Sequence, residues 1–140
     1  MALAVLIVWA VQAAIGLTLL AGWARHDRGS SSTVLTHAAV GALGPAAWAA
    51  YVFLDTLFLA WSAFVVINVG QVLGDALMMR RRRRVSGVVG GRRREFVAAV
   101  SAVVSGKLHW TVSLHILFGG VVLYFSCLAV CIGATVSAAN

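Results

Sequence analysis

Acidic side chains are nearly missing from this chain: four Asp and Glu residues in 140, with charged residues of both signs making up only 11%. No two carboxylates stand at a spacing suited to paired acid–base chemistry, and no serine or cysteine has a base and an orienting group near it in the sequence. Hydrolytic catalysis is therefore excluded as the leading reading. There are two cysteines, Cys127 and Cys131. They do not form a Cys-x-x-Cys pair, and neighbours one turn apart on a regular helix are poorly placed for a disulfide, so a packing role is expected. So little polar material cannot cover the surface of a soluble domain.

Apolar residues fill the space that charge leaves. They make up 61% of the chain, and the mean hydropathy is +0.96. They fall in runs long enough to cross a bilayer, since about 20 helical residues span the hydrocarbon core. The runs are continuous rather than alternating, which disfavours membrane strands. The expectation is an all-α membrane protein: a four-helix transmembrane bundle in a single domain over residues 1–140, with spans at about 3–24, 34–54, 57–79 and 111–136. The first span has no basic residue ahead of it and charges behind it, so it reads as a retained helix rather than a signal peptide.

All 11 basic residues lie in two places: Arg25 and Arg28 after the first span, and the loop 80–110 before the fourth, which carries "RRRRR", "RRR" and Lys107. Four spans put both regions on one side. The positive-inside rule then places them in the cytoplasm, with both termini outside. The arginine runs suit contact with anionic lipid headgroups or an acidic soluble partner. No aromatic residue interleaves with them, so nucleic acid is not expected as a partner. The segment 96–105 is apolar enough for a helix. It either lies at the interface or continues the fourth span into the cytoplasm.

Two weak patterns suggest tandem helical hairpins. Trp9 and Gly22 are spaced like Trp61 and Gly74, and His37-x-x-x-Gly41 like His115-x-x-x-Gly119. The second hairpin is interrupted by the basic insertion. Ionisable groups inside apolar helices are costly and usually functional, which singles out His37 and His115. Both enter the membrane from the basic side, about 5–6 Å along their helices at 1.5 Å per residue. Two imidazoles at one depth fit the axial ligands of a haem, a cofactor that helix bundles hold between facing helices.

Gly41 and Gly119, one turn from their histidines, are expected to leave room for the macrocycle, helped by Gly44 and Gly120. Pro45 removes a backbone hydrogen bond at this level and is expected to bend the second span. Lys107 and the arginines would meet the propionates. His109, beside Trp110, reads as an interfacial residue. As an alternative iron ligand it would move the haem about two turns toward the cytoplasm. Gln12, Asn68, Gln71 and Asp75 are the other polar groups in the spans. Interhelical hydrogen bonding accounts for them, with a quinone headgroup near Gln71 and Asp75 as the alternative.

The segments "LTHAAVGALGPAAWAAYV", "LAWSAFVVINVGQVLG" and "SLHILFGGVVLYFSCLAV" resemble small four-span bacterial membrane proteins and the haem-b membrane-anchor subunits of respiratory enzymes. The resemblance implies haem b on His37 and His115. It also implies electron transfer from a soluble iron–sulfur, dehydrogenase or hydrogenase partner to the quinone pool, alongside other subunits of a membrane complex. The competing expectation is a cofactor-free structural subunit of a respiratory or transport assembly.

Overall fold

The computed structural model describes residues 1–26, 31–86 and 91–139, and these form five helices. They are α1 (Ala2–His26), α2 (Ser31–Leu54), α3 (Leu57–Ser86), α4 (Arg92–Val104) and α5 (Trp110–Ala139). Arg28 and part of the glycine-rich stretch after the first arginine run lie outside the described residues. Four helices are long and apolar enough to cross a membrane: Ala2–His26, Ser32–Leu54, Leu57–Arg81 and Trp110–Val136. The chain is a multi-pass all-α membrane protein.

α1 packs against α2 and α5, and α3 packs against the same two helices. The four spans thus close a ring, with α2 and α5 on one diagonal and α1 and α3 on the other. Large apolar side chains such as Leu3, Phe53, Phe58 and Tyr124 point outward on every span. Lipid tails are as apolar as these side chains, so outward exposure carries no cost and close internal packing must hold the helices together.

That packing forms a dry core in the half of the bundle away from the arginines. Val5, Trp9, Trp48, Ala60, Ala63, Ile67, Val122, Ala129 and Val130 are buried there. Trp48 is fully buried, donates its indole N–H to the carbonyl of Ala2 (3.0 Å) and meets the Tyr51 ring edge-on. Trp9 donates to the hydroxyl of Ser126 at 3.1 Å, tying α1 to α5. Gly44 makes room for Trp9, whose ring lies where a Cβ would stand.

The turn between α2 and α3 is two residues long, and Asp55 closes α2 in the left-handed region (φ 49°). Its N–H bonds the carbonyl of Tyr51 at 2.9 Å. Aspartate tolerates this conformation better than most residues.

The basic segment over 80–110 carries the helix expected before the fourth span, and more helix besides. α3 runs through the first arginine run to Ser86 because arginine is a good helix former. α4 then takes up Arg92–Val104. α4 does not continue into α5. Gly106, at φ +67°, ends it with paired bonds from Gly106 N–H to Val103 O and from Lys107 N–H to Ala102 O. This is a glycine-terminated helix end of the Schellman type. Pro45 lies inside α2, and the helix runs unbroken through it.

Candidate functional site

In the basic half of the bundle the packing changes character. Here α2 contributes His37, α5 contributes His115, α1 contributes Gln12 and Gly16, and α3 contributes Gly70, Gln71 and Gly74. The two imidazoles meet across the α2–α5 diagonal with ring centroids 6.1 Å apart and planes at 85°. The two rings thus lie at one level of the bundle, edge to face.

Each ring leans on a glycine of a different helix. A Cβ on Gly74 would lie 3.3 Å from the His37 ring, and one on Gly16 would lie 3.1 Å from the His115 ring. His37 Nδ1 bonds the carbonyl of Gly70 at 3.1 Å. A carbonyl only accepts, so this nitrogen carries the proton and Nε2 keeps its lone pair. His115 Nδ1 is buried with no hydrogen-bond partner. Gln12 Nε2–H donates to the backbone carbonyl of His115 at 3.0 Å, while its Oε1 is buried and unpartnered. The Gln12 and Gln71 amides both lie over Gly119, with Gln71 Nε2 3.0 Å and Gln12 Nε2 3.3 Å from where a Cβ would stand.

The expected glycine partners of the histidines are corrected by these contacts. Gly41 is exposed and has nothing within 4 Å of a Cβ position. It faces outward and does not make room beside His37. Gly119 is buried, but it seats the two glutamine amides rather than the His115 ring. Gly44 receives Trp9, and a Cβ at Gly120 would meet only open space. The i, i+4 spacing puts each glycine near its histidine's face without deciding which seam that face meets.

His109 is exposed, bonded through Nδ1 to the Thr111 hydroxyl at 2.8 Å, with its carbonyl accepting the first amide bonds of α5. It stands apart from the His37–His115 pair. Lys107 is exposed in the turn between α4 and α5. Asn68 bonds the carbonyl of Phe64 in its own helix rather than another helix, so only Gln71 of that pair reaches the interior. Asp75 lines a cavity between α3 and α4. Cys127 and Cys131 are exposed on the outer face of α5, not packed in the core.

His37 Nε2 and His115 Nδ1, on helices that face each other, are ring nitrogens without hydrogen-bond partners. Among the described residues no group of three or more His, Cys, Asp and Glu side chains gathers to hold an ion. Bare zinc or copper sites want three or four such ligands. Haem differs, because the macrocycle fills its own equatorial positions and asks only for axial donors. The Nδ1–H bond of His37 to Gly70 is the outer-shell contact that orients a ligating imidazole. Gly16 and Gly74 seat the His115 and His37 rings themselves, and Gly70 lies against Val40. Two imidazole donors are the set that a haem asks for.

Gln12 and Gly16 carried the weakest signals in the sequence. Gln12 is a single polar residue in an apolar run, and Gly16 has no histidine on its own helix to draw notice. A scan against protein-family models gave no match, and searches of curated proteins and of solved structures found no counterpart.

Proposed function

We propose that this chain is a b-type cytochrome subunit of a membrane oxidoreductase complex, with His37 and His115 as axial ligands of one haem. The observation that carries the reading is the meeting of two imidazoles from opposite helices, 6.1 Å apart, against glycine-lined walls. A haem held there supplies a one-electron carrier in the membrane. His37 and His115 would hold the iron. Gly70 would fix the tautomer of His37, and Gln12 would hold the α5 backbone at His115.

The reading places the arginine-bearing end in the cytoplasm of a bacterial cell, where electrons arrive from an iron–sulfur or dehydrogenase partner and leave to quinone. A reporter fused at Asn140 then scores as external, and one inserted near Gly91 scores as cytoplasmic.

A second reading rests on the same contacts. The bonds from His37 to Gly70 and from Gln12 to His115 join α2 to α3 and α1 to α5, as polar groups do in cofactor-free bundles. A reduced-minus-oxidised visible spectrum of the purified protein separates the two. A Soret band and a b-type α-band, both lost in His37→Ala and in His115→Ala, support the cytochrome. A folded protein without Soret absorption after expression with ample haem leaves the structural subunit.

A further inference from the structure

α4 carries two unlike faces. Glu95, Ala99 and Val103, spaced at i, i+4 and i+8, are buried. Glu95 is anchored by Arg83 of α3, whose Nε–H and Nη2 meet one carboxylate oxygen at 2.8 and 2.7 Å. About a third of a turn away, Phe96, Val97, Val100 and Val104 are exposed. The spans flanking α4 end at Arg81 and begin at Trp110, so both of its connections reach the membrane surface. An exposed apolar arc on a helix between two spans suits the boundary between headgroups and acyl chains.

Arg93 and Arg94 stand at the start of this arc. Both are exposed, and among the described residues neither has an ion-pair or hydrogen-bond partner. Two adjoining cavities share Arg93. The inner one, about 420 Å³, lies between α3 and α4 and is lined by Val72, Asp75, Met79, Arg93 and Phe96. The outer one is shallow and open to the surface, and α4 alone lines it, with Arg93, Arg94, Val97, Ala98 and Ser101.

Their chemistry is graded. The outer cavity offers two guanidinium groups and a hydroxyl with no carboxylate, which suits a phosphate. In the inner cavity Asp75 repels a phosphate, while Val72, Met79 and Phe96 suit a hydrocarbon chain. The inner cavity also opens onto a stripe of outward-facing valines on α3, Val65, Val69 and Val72, each exposed along the span. A ligand with its anion in the outer cavity and its chain in the inner one therefore continues along a lipid-facing helix.

We propose that the α3–α4 groove is a binding site for one anionic phospholipid. Arg93, Arg94 and Ser101 hold the phosphate, and an acyl chain lies over Val72, Met79 and Phe96. The proposal does not depend on the cytochrome reading, and its test involves no haem measurement.

The test is native mass spectrometry of the full-length protein in detergent, titrated with phosphatidylglycerol or with phosphatidylcholine of the same chains. Phosphatidylglycerol is expected to bind more tightly. The Arg93→Gln/Arg94→Gln variant is expected to lose about 30-fold in that affinity, at about 5-fold per basic residue near a membrane surface. Arg25→Gln, which removes a charge from α1 at the same end of the bundle, should leave it unchanged, and millimolar inorganic phosphate should not displace the lipid. The proposal is overturned by equal affinity of the wild type for the two lipids, a comparison that needs no variant. It is equally overturned if Arg25→Gln costs as much per charge as the paired change, or if inorganic phosphate displaces the lipid.

Discussion

Gly41→Ala and Gly44→Ala are the same chemical change on the same helix, one turn apart, and the structure gives them opposite outcomes. A Cβ at Gly44 would penetrate the six-membered ring of Trp9. That ring cannot swing aside cheaply: Trp9 is 4% exposed, and its indole N–H is held by the fully buried Ser126. Overpacking a tight interior costs about 1–3 kcal/mol, and penetration of a pinned ring belongs at the upper end of that range. The gain in helix propensity from glycine to alanine, about 1 kcal/mol, offsets part of it. The net expectation for Gly44→Ala is a loss of about 1–2 kcal/mol. Gly41 has nothing within 4 Å of its Cβ position, so Gly41→Ala keeps only the propensity gain. The two variants should differ by about 2–3 kcal/mol. Equilibrium unfolding in mixed detergent–SDS micelles measures this difference. Adding Trp9→Phe to Gly44→Ala removes the penetrated ring, so the double variant should be more stable than the sum of the single effects allows. Equal costs at the two glycines, or strict additivity in the double variant, would refute the reasoning.

Other positions give independent checks. Ser126→Ala strands the buried indole N–H of Trp9 and should cost about 1–3 kcal/mol in the same unfolding assay, with much of the loss absent in the Trp9→Phe background. Gly106→Ala forces a Cβ into the left-handed region at the end of α4 and should cost about 1–2 kcal/mol, seen as faster proteolysis between α4 and α5. Asp55→Gly should leave stability unchanged or slightly raised, whereas Asp55→Val, at the same positive φ, should lower it. Gly16→Leu and Gly74→Leu each drive a side chain into a histidine ring and should lower stability in the same assay, while Gly41→Leu should not; on the proposed cytochrome reading the first two would also remove the haem spectrum.

The spans and the meeting of His37 with His115 were legible because both follow from one-dimensional facts. Apolar length sets the number of crossings, and the clustering of every arginine at one end sets the depth at which each histidine enters. The neighbours of the rings were not legible, because they lie on other helices. Gly74 and Gly16 seat the rings, while Gly41, on the histidine's own helix, faces outward. Helical spacing says which residues share a face but not how the helix is rotated within the bundle. The repeat was legible only in part for the same reason. Trp9 and Trp61 occupy matching places in the pattern, yet Trp9 is buried and Trp61 is 43% exposed. Among the basic residues, the end of α4 was hidden by an apolar stretch that runs on toward α5, and only the left-handed Gly106 breaks it.

The contrast between the two tryptophans bears on what the histidines do. Seven residues after His37 stands Gly44, which admits the Trp9 ring; seven after His115 stands Val122, fully buried and filling the equivalent space. Trp61 finds no glycine and turns outward. The dry core is thus built differently from the two hairpins, with large and small residues exchanged between them. At the histidine level the hairpins agree in direction only, since Gly74 matches Gly22 in the repeat and His115 rests on Gly16. In each, the second span turns its imidazole toward the first span of the other hairpin, onto Gly74 in one case and Gly16 in the other. The two hairpins therefore differ in how they hold their histidines as well as in how they fill the core: His37 Nδ1 bonds the Gly70 carbonyl, whereas His115 Nδ1 has no partner.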